Sequence, residues 1–200
     1  MNLMNRLRKI GRKYVLPVEE IGAVLSECLK TDKDCLKIID FGSGTLFWTE
    51  YIINNINCRY EIYAVDPIYN TISPTIETNN KNGRIFLYDD IEKLLDIHEK
   101  FDIIFMCDVI HHLEPLYWDR VFDLFLERIE IFVIKDINAL QKIGNKLNKL
   151  HDKLINRENI VDVYPESIRD KFIEKGFSVS DTKLVRKLWY PHFVIKANKL

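Results

Sequence analysis

Asp40-Phe41-Gly42-Ser43-Gly44 stands between an apolar run, IIDF, and a stretch able to form a helix. Two glycines there permit tight backbone curvature and close approach of a ligand. Further along, Asp66 ends a second apolar run, where an acid can accept hydrogen bonds from both hydroxyls of a ribose. It could equally be a turn residue before Pro67. Asp90, in YDDIEKL, follows a third run and could take an adenine amino group, cap a short helix before Ile91, or do both. A fourth run ends in CDVIHHL and sets Asp108, His111 and His112 at one place in the chain. Acids and histidines at successive strand ends suit binding of a nucleoside-bearing ligand and proton transfer beside it.

Strands and helices must alternate for these residues to meet. Strands are expected at residues 37–41, 61–66, 84–88, 101–107, 131–136, 177–181 and 192–197. The central ones (IIDF, FDIIFMC, IFVIK) are continuous apolar runs, as strands buried on both faces of a parallel sheet require. Helices fill the gaps. One follows Pro17, one follows the glycine turn, one begins at Pro115, and one runs from Pro165 toward Gly176. Leu140, Ile143, Leu147, Leu150 and Leu154 repeat at helical spacing and are expected to pack on the domain. Only residues 182–191 separate the last two strands, too few for a helical crossover, so those strands should pair antiparallel. The fold class is α/β: a Rossmann-like, doubly wound sheet of seven strands, mostly parallel, with the last antiparallel and helices on both faces. Ligands of such sheets sit beyond the carboxyl ends of the strands.

Asp40, Gly42, Ser43 and Gly44, then Asp66, Asp90 and Asp108, form an ordered set that resembles the class I S-adenosylmethionine-dependent methyltransferases. The resemblance runs from about residue 37 to the C-terminus. It extends to a branch of that family through LPVEEI, IKDI, the His151-Asp152 pair and YPHF. It implies S-adenosyl-L-methionine as cofactor, with Asp40, Gly42, Ser43, Gly44, Asp66, Pro67, Asp90, Ile91 and Asp108 around it. Leu46 stands where the family has a third glycine. A dinucleotide's pyrophosphate needs unobstructed amides at the helix start, whereas S-adenosylmethionine carries no phosphate, so a bulkier residue there disfavours NAD.

Methyl transfer to a hydroxyl needs a base. The candidates are His112 at the fourth strand end, Asp136 at the fifth, His192 at the start of the reversed strand, and His151 in a helical insertion spanning residues 137–176. That insertion is expected to act as a lid over the acceptor. No set of metal ligands shows in the spacing. Lys142, Lys146, Lys149, Lys153 and Arg157 form a basic stripe that is either a solvated face or a guide for a phosphorylated or nucleotide-linked acceptor. Aromatics do not interleave with it, which disfavours nucleic acid.

With 200 residues and 47% hydrophobic content, the chain suits one ordered domain over residues 1–200, with a helical leader at 1–36. The net charge of −1 gives no global attraction to nucleic acid or membrane. Arg6, Arg8, Lys9, Arg12 and Lys13 beside Leu3, Met4, Leu7 and Ile10 leave open a membrane-surface contact at the N-terminus. Cys28, Cys35, Cys58 and Cys107 form no C-x-x-C pair and read as reduced thiols of a cytoplasmic protein. Nothing in the composition sets the oligomeric state. The expected function is methylation of a small-molecule acceptor, best matched by O-methylation of a sugar or sugar-linked metabolite. An RNA methyltransferase and a non-catalytic binding module of the same fold are the alternatives.

Overall fold

The computed structural model describes residues 18–71, 75–76, 83–96, 100–151, 153, 160–180, 182–187 and 190–200. In chain order the elements are α1 (Val18–Cys28), β1 (Cys35–Phe41), α2 (Phe47–Asn55), β2 (Arg59–Val65), β3 (Thr75–Ile76), β4 (Gly83–Tyr88), β5 (Phe101–Cys107), α3 (Pro115–Phe125), β6 (Ile129–Ile137), α4 (Lys142–His151), α5 (Pro165–Glu174), β7 (Phe177–Val179), β8 (Lys183–Lys187) and β9 (Tyr190–Lys199). Short 3-10 turns at Pro67–Thr71, Ile91–Asp96 and Ile110–His112 follow β2, β4 and β5.

The strands form one sheet in the order β3-β4-β2-β1-β5-β6-β9-β7, with β8 also on β9. Strands β4, β2, β1, β5 and β6 run parallel to one another. The reversed β9 pairs antiparallel with β6, and β7 and β8 with β9. The chain winds outward from β1 in both directions, so the strand order switches between β1 and β5.

Continuous apolar runs produce this arrangement because each strand serves two cores. Ile38, Ile103, Phe105 and Val133 face one layer, closed by Ile21, Val24 and Leu25 of α1 and by Trp48 and Ile52 of α2. Ile39, Ile104, Phe132 and Ile134 face the other, closed by Val121, Phe122 and Phe125 of α3 and by Ile168 and Phe172 of α5. Phe172 is fully buried, with its ring 4.8 Å from Phe122 and 4.9 Å from Phe132. Truncating such a side chain to Ala costs about 3–5 kcal/mol, transfer and cavity together. Pro115 and Pro165 open their helices at the first turn, and Gly176, at φ 80°, closes α5.

Seven expected strands are present, and two more join them. Thr75–Ile76 pairs with β4. Lys183–Lys187 lies in the connection expected to be loop and extends the outer edge of β9 beyond β7. Leu184 is exposed on that edge strand, so no buried face marked it in the sequence. The leucine repeat is corrected more substantially. Leu140, Ile143, Leu147 and Leu150 are 54%, 80%, 40% and 53% exposed, so the stripe faces outward instead of docking on the domain. Leu154, Asp152, Arg157 and the leader before Val18 lie outside the described residues.

Candidate cofactor and proton-transfer site

The glycine turn closes on its own strand neighbours. Gly42 and Ser43 donate their backbone N–H groups to the Val65 carbonyl of β2. Gly42 adopts φ 73°, and a Cβ on it would stand 1.9 Å from Val109 Cγ2, so the turn after β1 presses on the turn after β5 at the switch point. Gly44 adopts φ 52°, and a Cβ there would meet Asp66 Oδ2 at 3.9 Å and the Gly42 carbonyl oxygen at 4.0 Å, both ordinary contact distances. Leu46 holds φ 63°, a left-handed backbone more usual for glycine, at the N-cap of α2.

Three side chains hold this turn from below and beside. Asp40 is 2% exposed and accepts a 2.6 Å hydrogen bond from the Thr49 hydroxyl of α2. Burial raises its carboxyl from 3.8 to about 7, against the lowering effect of Thr49. Asp40 therefore braces the turn instead of presenting a carboxylate to a ligand. Tyr69, in the 3-10 turn after β2, lies 2.9 Å from Ser43 Oγ and donates to the Gly44 carbonyl at 2.9 Å. Burial pushes the Tyr69 phenol up to about 12, so it stays a donor. Asp66 accepts from the Gly44 N–H at 2.8 Å through Oδ2 and from the Ile68 N–H at 3.0 Å through Oδ1. Each carboxylate oxygen retains a second acceptor site for a ribose hydroxyl. Sequence reasoning missed Tyr69. An aromatic three residues after a strand-end acid was its only signal.

Asp66 and Asp90 share the carboxyl edge, because β2 and β4 are parallel and Val65 pairs with Tyr88. Asp90 is exposed and accepts from the Glu92 N–H at 2.9 Å, so it caps the following turn and faces outward. Ile91 is fully buried in the core, so its side chain anchors the turn that carries Asp90. Pro67 is exposed beside Asp66.

The ends of β5, β6 and β9 build a second cluster next to the first. Asp108, at φ 56°, receives an ion pair from the fully buried Lys135 ammonium. Burial alone would raise the Asp108 carboxyl, but Lys135, His192 and His111 outweigh it and hold it below the usual carboxylate range. Asp136 is fully buried and bonds to His111 Nδ1, to the His111 N–H at 3.3 Å and to the Ile137 N–H at 2.7 Å. Three contacts fix that carboxylate, and it in turn fixes the imidazole. With Nδ1–H given to Asp136, the basic nitrogen of His111 is Nε2. His192 is 2% exposed at the start of β9, on the same strand face as Val194 and hence on the Lys135 side. The expected alternation of Lys135 and Asp136 toward opposite faces is what separates these two pairs.

The histidines therefore sort differently from the expectation. His111 holds Asp136, whereas His112 is exposed, with its ring 4.1 Å from that of His111. His151 closes α4, and its side chain lies outside the described residues, as does Asp152. Asp108, His111 and Asp136 also bring three ligand atoms within 4.8 Å of one another, a set able to hold a metal ion. Lys135 already supplies a positive charge at Asp108, which opposes a cation there.

The glycine turn, Asp66 and Asp90 thus lie together along the carboxyl edge of the parallel strands. A family model described as a methyltransferase domain matches residues 12–181. No curated protein matches the chain. Among solved structures, a SAM-dependent methyltransferase from Archaeoglobus fulgidus aligns with TM-score 0.66 at 16% identity, covering 96% of this chain and 99% of that one. Magnesium protoporphyrin IX methyltransferase from Synechocystis PCC 6803, with bound SAH, aligns at 0.63 and 13%, covering 100% and 89%. The 1,6-didemethyltoxoflavin-N1-methyltransferase of Burkholderia thailandensis aligns at 0.65 and 14%, covering 98% and 83%. The match over most of its length places this chain in the methyltransferase domain family, with the class I S-adenosylmethionine-dependent fold.

Proposed function

We propose that this protein transfers a methyl group from S-adenosylmethionine to a hydroxyl of a small-molecule acceptor. Our acceptor class is a sugar or a sugar-linked metabolite, including phosphorylated and nucleotide-linked forms. The observation that carries this reading is the buried Asp136–His111 pair beside the glycine turn. S-adenosylmethionine, when bound, supplies a methyl already activated on a sulfonium. The chain's own work is then alignment, exclusion of water and removal of the hydroxyl proton.

In this reading Gly42, Ser43 and Gly44 receive the amino-acid end, Asp66 the ribose and Asp90 the adenine. His111 Nε2 takes the acceptor proton, and Asp136 orients the ring and stabilises the imidazolium that forms. Lys135 keeps Asp108 ionised, so a carboxylate stays at the cleft without stealing the proton that His111 must accept. His192 lies on the Lys135 side of the cluster, away from the base. The reaction needs no divalent ion, because Lys135 already balances Asp108. The four cysteines are free thiols, which suits a cytoplasmic enzyme.

The test is methyl transfer from labelled S-adenosylmethionine across sugar nucleotides, hydroxylated small molecules and bulk RNA, with and without a chelator. Label is expected in a hydroxylated small molecule, and a chelator should leave the rate unchanged. Label in RNA alone would replace this reading with the RNA one. Cofactor binding without transfer to any acceptor would favour a binding module.

A further inference from the structure

From the outward stripe of α4 we infer that this protein docks on an anionic lipid surface, with Ile143, Leu147 and Leu150 as the inserted side chains. Helical spacing puts these three on one arc, and Leu140, in the turn before the helix, is exposed as well. All four are 40% exposed or more, so the arc is open to its surroundings, and Gly144, on the flank away from the lysines, is buried. At about 100° per residue, Lys142, Lys146 and Lys149 form a row along one flank of the apolar arc. Lys142 and Lys146 are exposed; Lys149 is half-buried and pairs with Asp162 at 2.8 Å.

Charge decides the occupant. Residues 137–151 contain no acidic side chain, although the whole chain has a net charge of −1. An apolar arc with a lysine flank fits a surface of acyl chains beneath negative headgroups. A second copy of the chain meeting this face with its helix antiparallel would bring the lysine rows together, which repels. Nucleic acid would meet the lysines and find no aromatic ring to stack on. No helix among the described residues is long and apolar enough to cross a membrane, so the contact is interfacial. The inference stands apart from the identity of the methyl acceptor.

The test is co-sedimentation of the full chain with vesicles of phosphatidylcholine and phosphatidylglycerol in equal parts, and with phosphatidylcholine alone, at low salt. Binding is expected to the anionic vesicles only and should fall as salt rises. The Ile143→Glu/Leu147→Glu double variant should reduce the bound fraction about tenfold or more. Lys142→Gln/Lys146→Gln should reduce binding to anionic vesicles to a smaller degree. Titration with S-adenosylmethionine checks that each variant is folded, since none of these residues belongs to the cofactor site. Three results would overturn the inference. One is a wild-type chain that does not bind anionic vesicles at low salt. Another is undiminished binding by the double glutamate variant, which would assign the contact to another segment. The third is a concentration-dependent dimer in light scattering that the double variant abolishes, which would make this face an interface between copies.

Discussion

The Gly44 amide donates to Asp66 Oδ2 at 2.8 Å, so the turn after β1 and the acid after β2 are one mechanical unit. Asp66 thus has two duties. It holds the glycine turn, and in the proposed reading its remaining lone pairs take a ribose. Asp66→Ala should weaken S-adenosylmethionine binding by about 1–3 kcal/mol in calorimetry, from lost hydrogen bonds to a charged acceptor. Asp66→Asn keeps the side chain's shape and one acceptor oxygen and should lose less. Unchanged affinity in a folded Ala variant would remove Asp66 from the ligand.

His111 and His112 can be separated directly. His111→Ala should lower turnover on the true acceptor by about 10²–10⁴-fold while cofactor affinity stays nearly constant. Asp136→Asn should lower it too, because an amide cannot hold the same tautomer as firmly. The loss in the double variant should be close to that of the worse single variant, since the two residues act as a unit. His112→Ala should change turnover little. If His112→Ala is the damaging change and His111→Ala is silent, the exposed ring is the base.

Leu46 holds a left-handed backbone that costs an L-residue about 1–2 kcal/mol. Leu46→Gly relieves that strain but gives up the packing of a partly buried side chain, so the urea midpoint should move little. Leu46→Val puts a β-branched residue at a positive φ and should lose about 1–2 kcal/mol relative to Leu. A valine variant as stable as the wild type would show that the turn rearranges instead of bearing strain.

The parts of this structure that were legible in the sequence are those that depend on one strand at a time. IIDF and FDIIFMC name buried parallel strands because both of their faces are apolar, and Asp66, Asp90 and Asp108 follow such runs directly. Relationships between strands were not legible. Lys135 reaching Asp108, and His111 instead of His112 reaching Asp136, depend on the β5–β6 register and on the turn Ile110–His112. The leucine repeat shows the same limit. Periodicity reports that Ile143, Leu147 and Leu150 share a face, and only their exposure in the fold shows that the face points outward. Lys183–Lys187 was hidden because an exposed edge strand needs no apolar side.

Asp40 couples the brace beneath the glycine turn to pH. Its carboxyl is raised from 3.8 to about 7 chiefly by burial, while an unfolded chain ionises it at the ordinary value. Below about pH 4 the side chain is neutral in both states, and its neutral form fits the buried site. Between 4 and 7 the unfolded state releases a proton that the folded state keeps. Over that window the group's contribution to stability declines with rising pH, by up to about 1.4 kcal/mol per unit, and it levels off above 7. Asp40→Asn keeps an oxygen for the Thr49 hydroxyl and carries no proton to lose. The stability of the Asn variant relative to wild type should therefore rise from pH 4 to pH 7 and then stay flat. Denaturant midpoints of both proteins at matched ionic strength measure this difference. A difference that is constant across the window would mean that Asp40 ionises in the folded state as freely as it does in water.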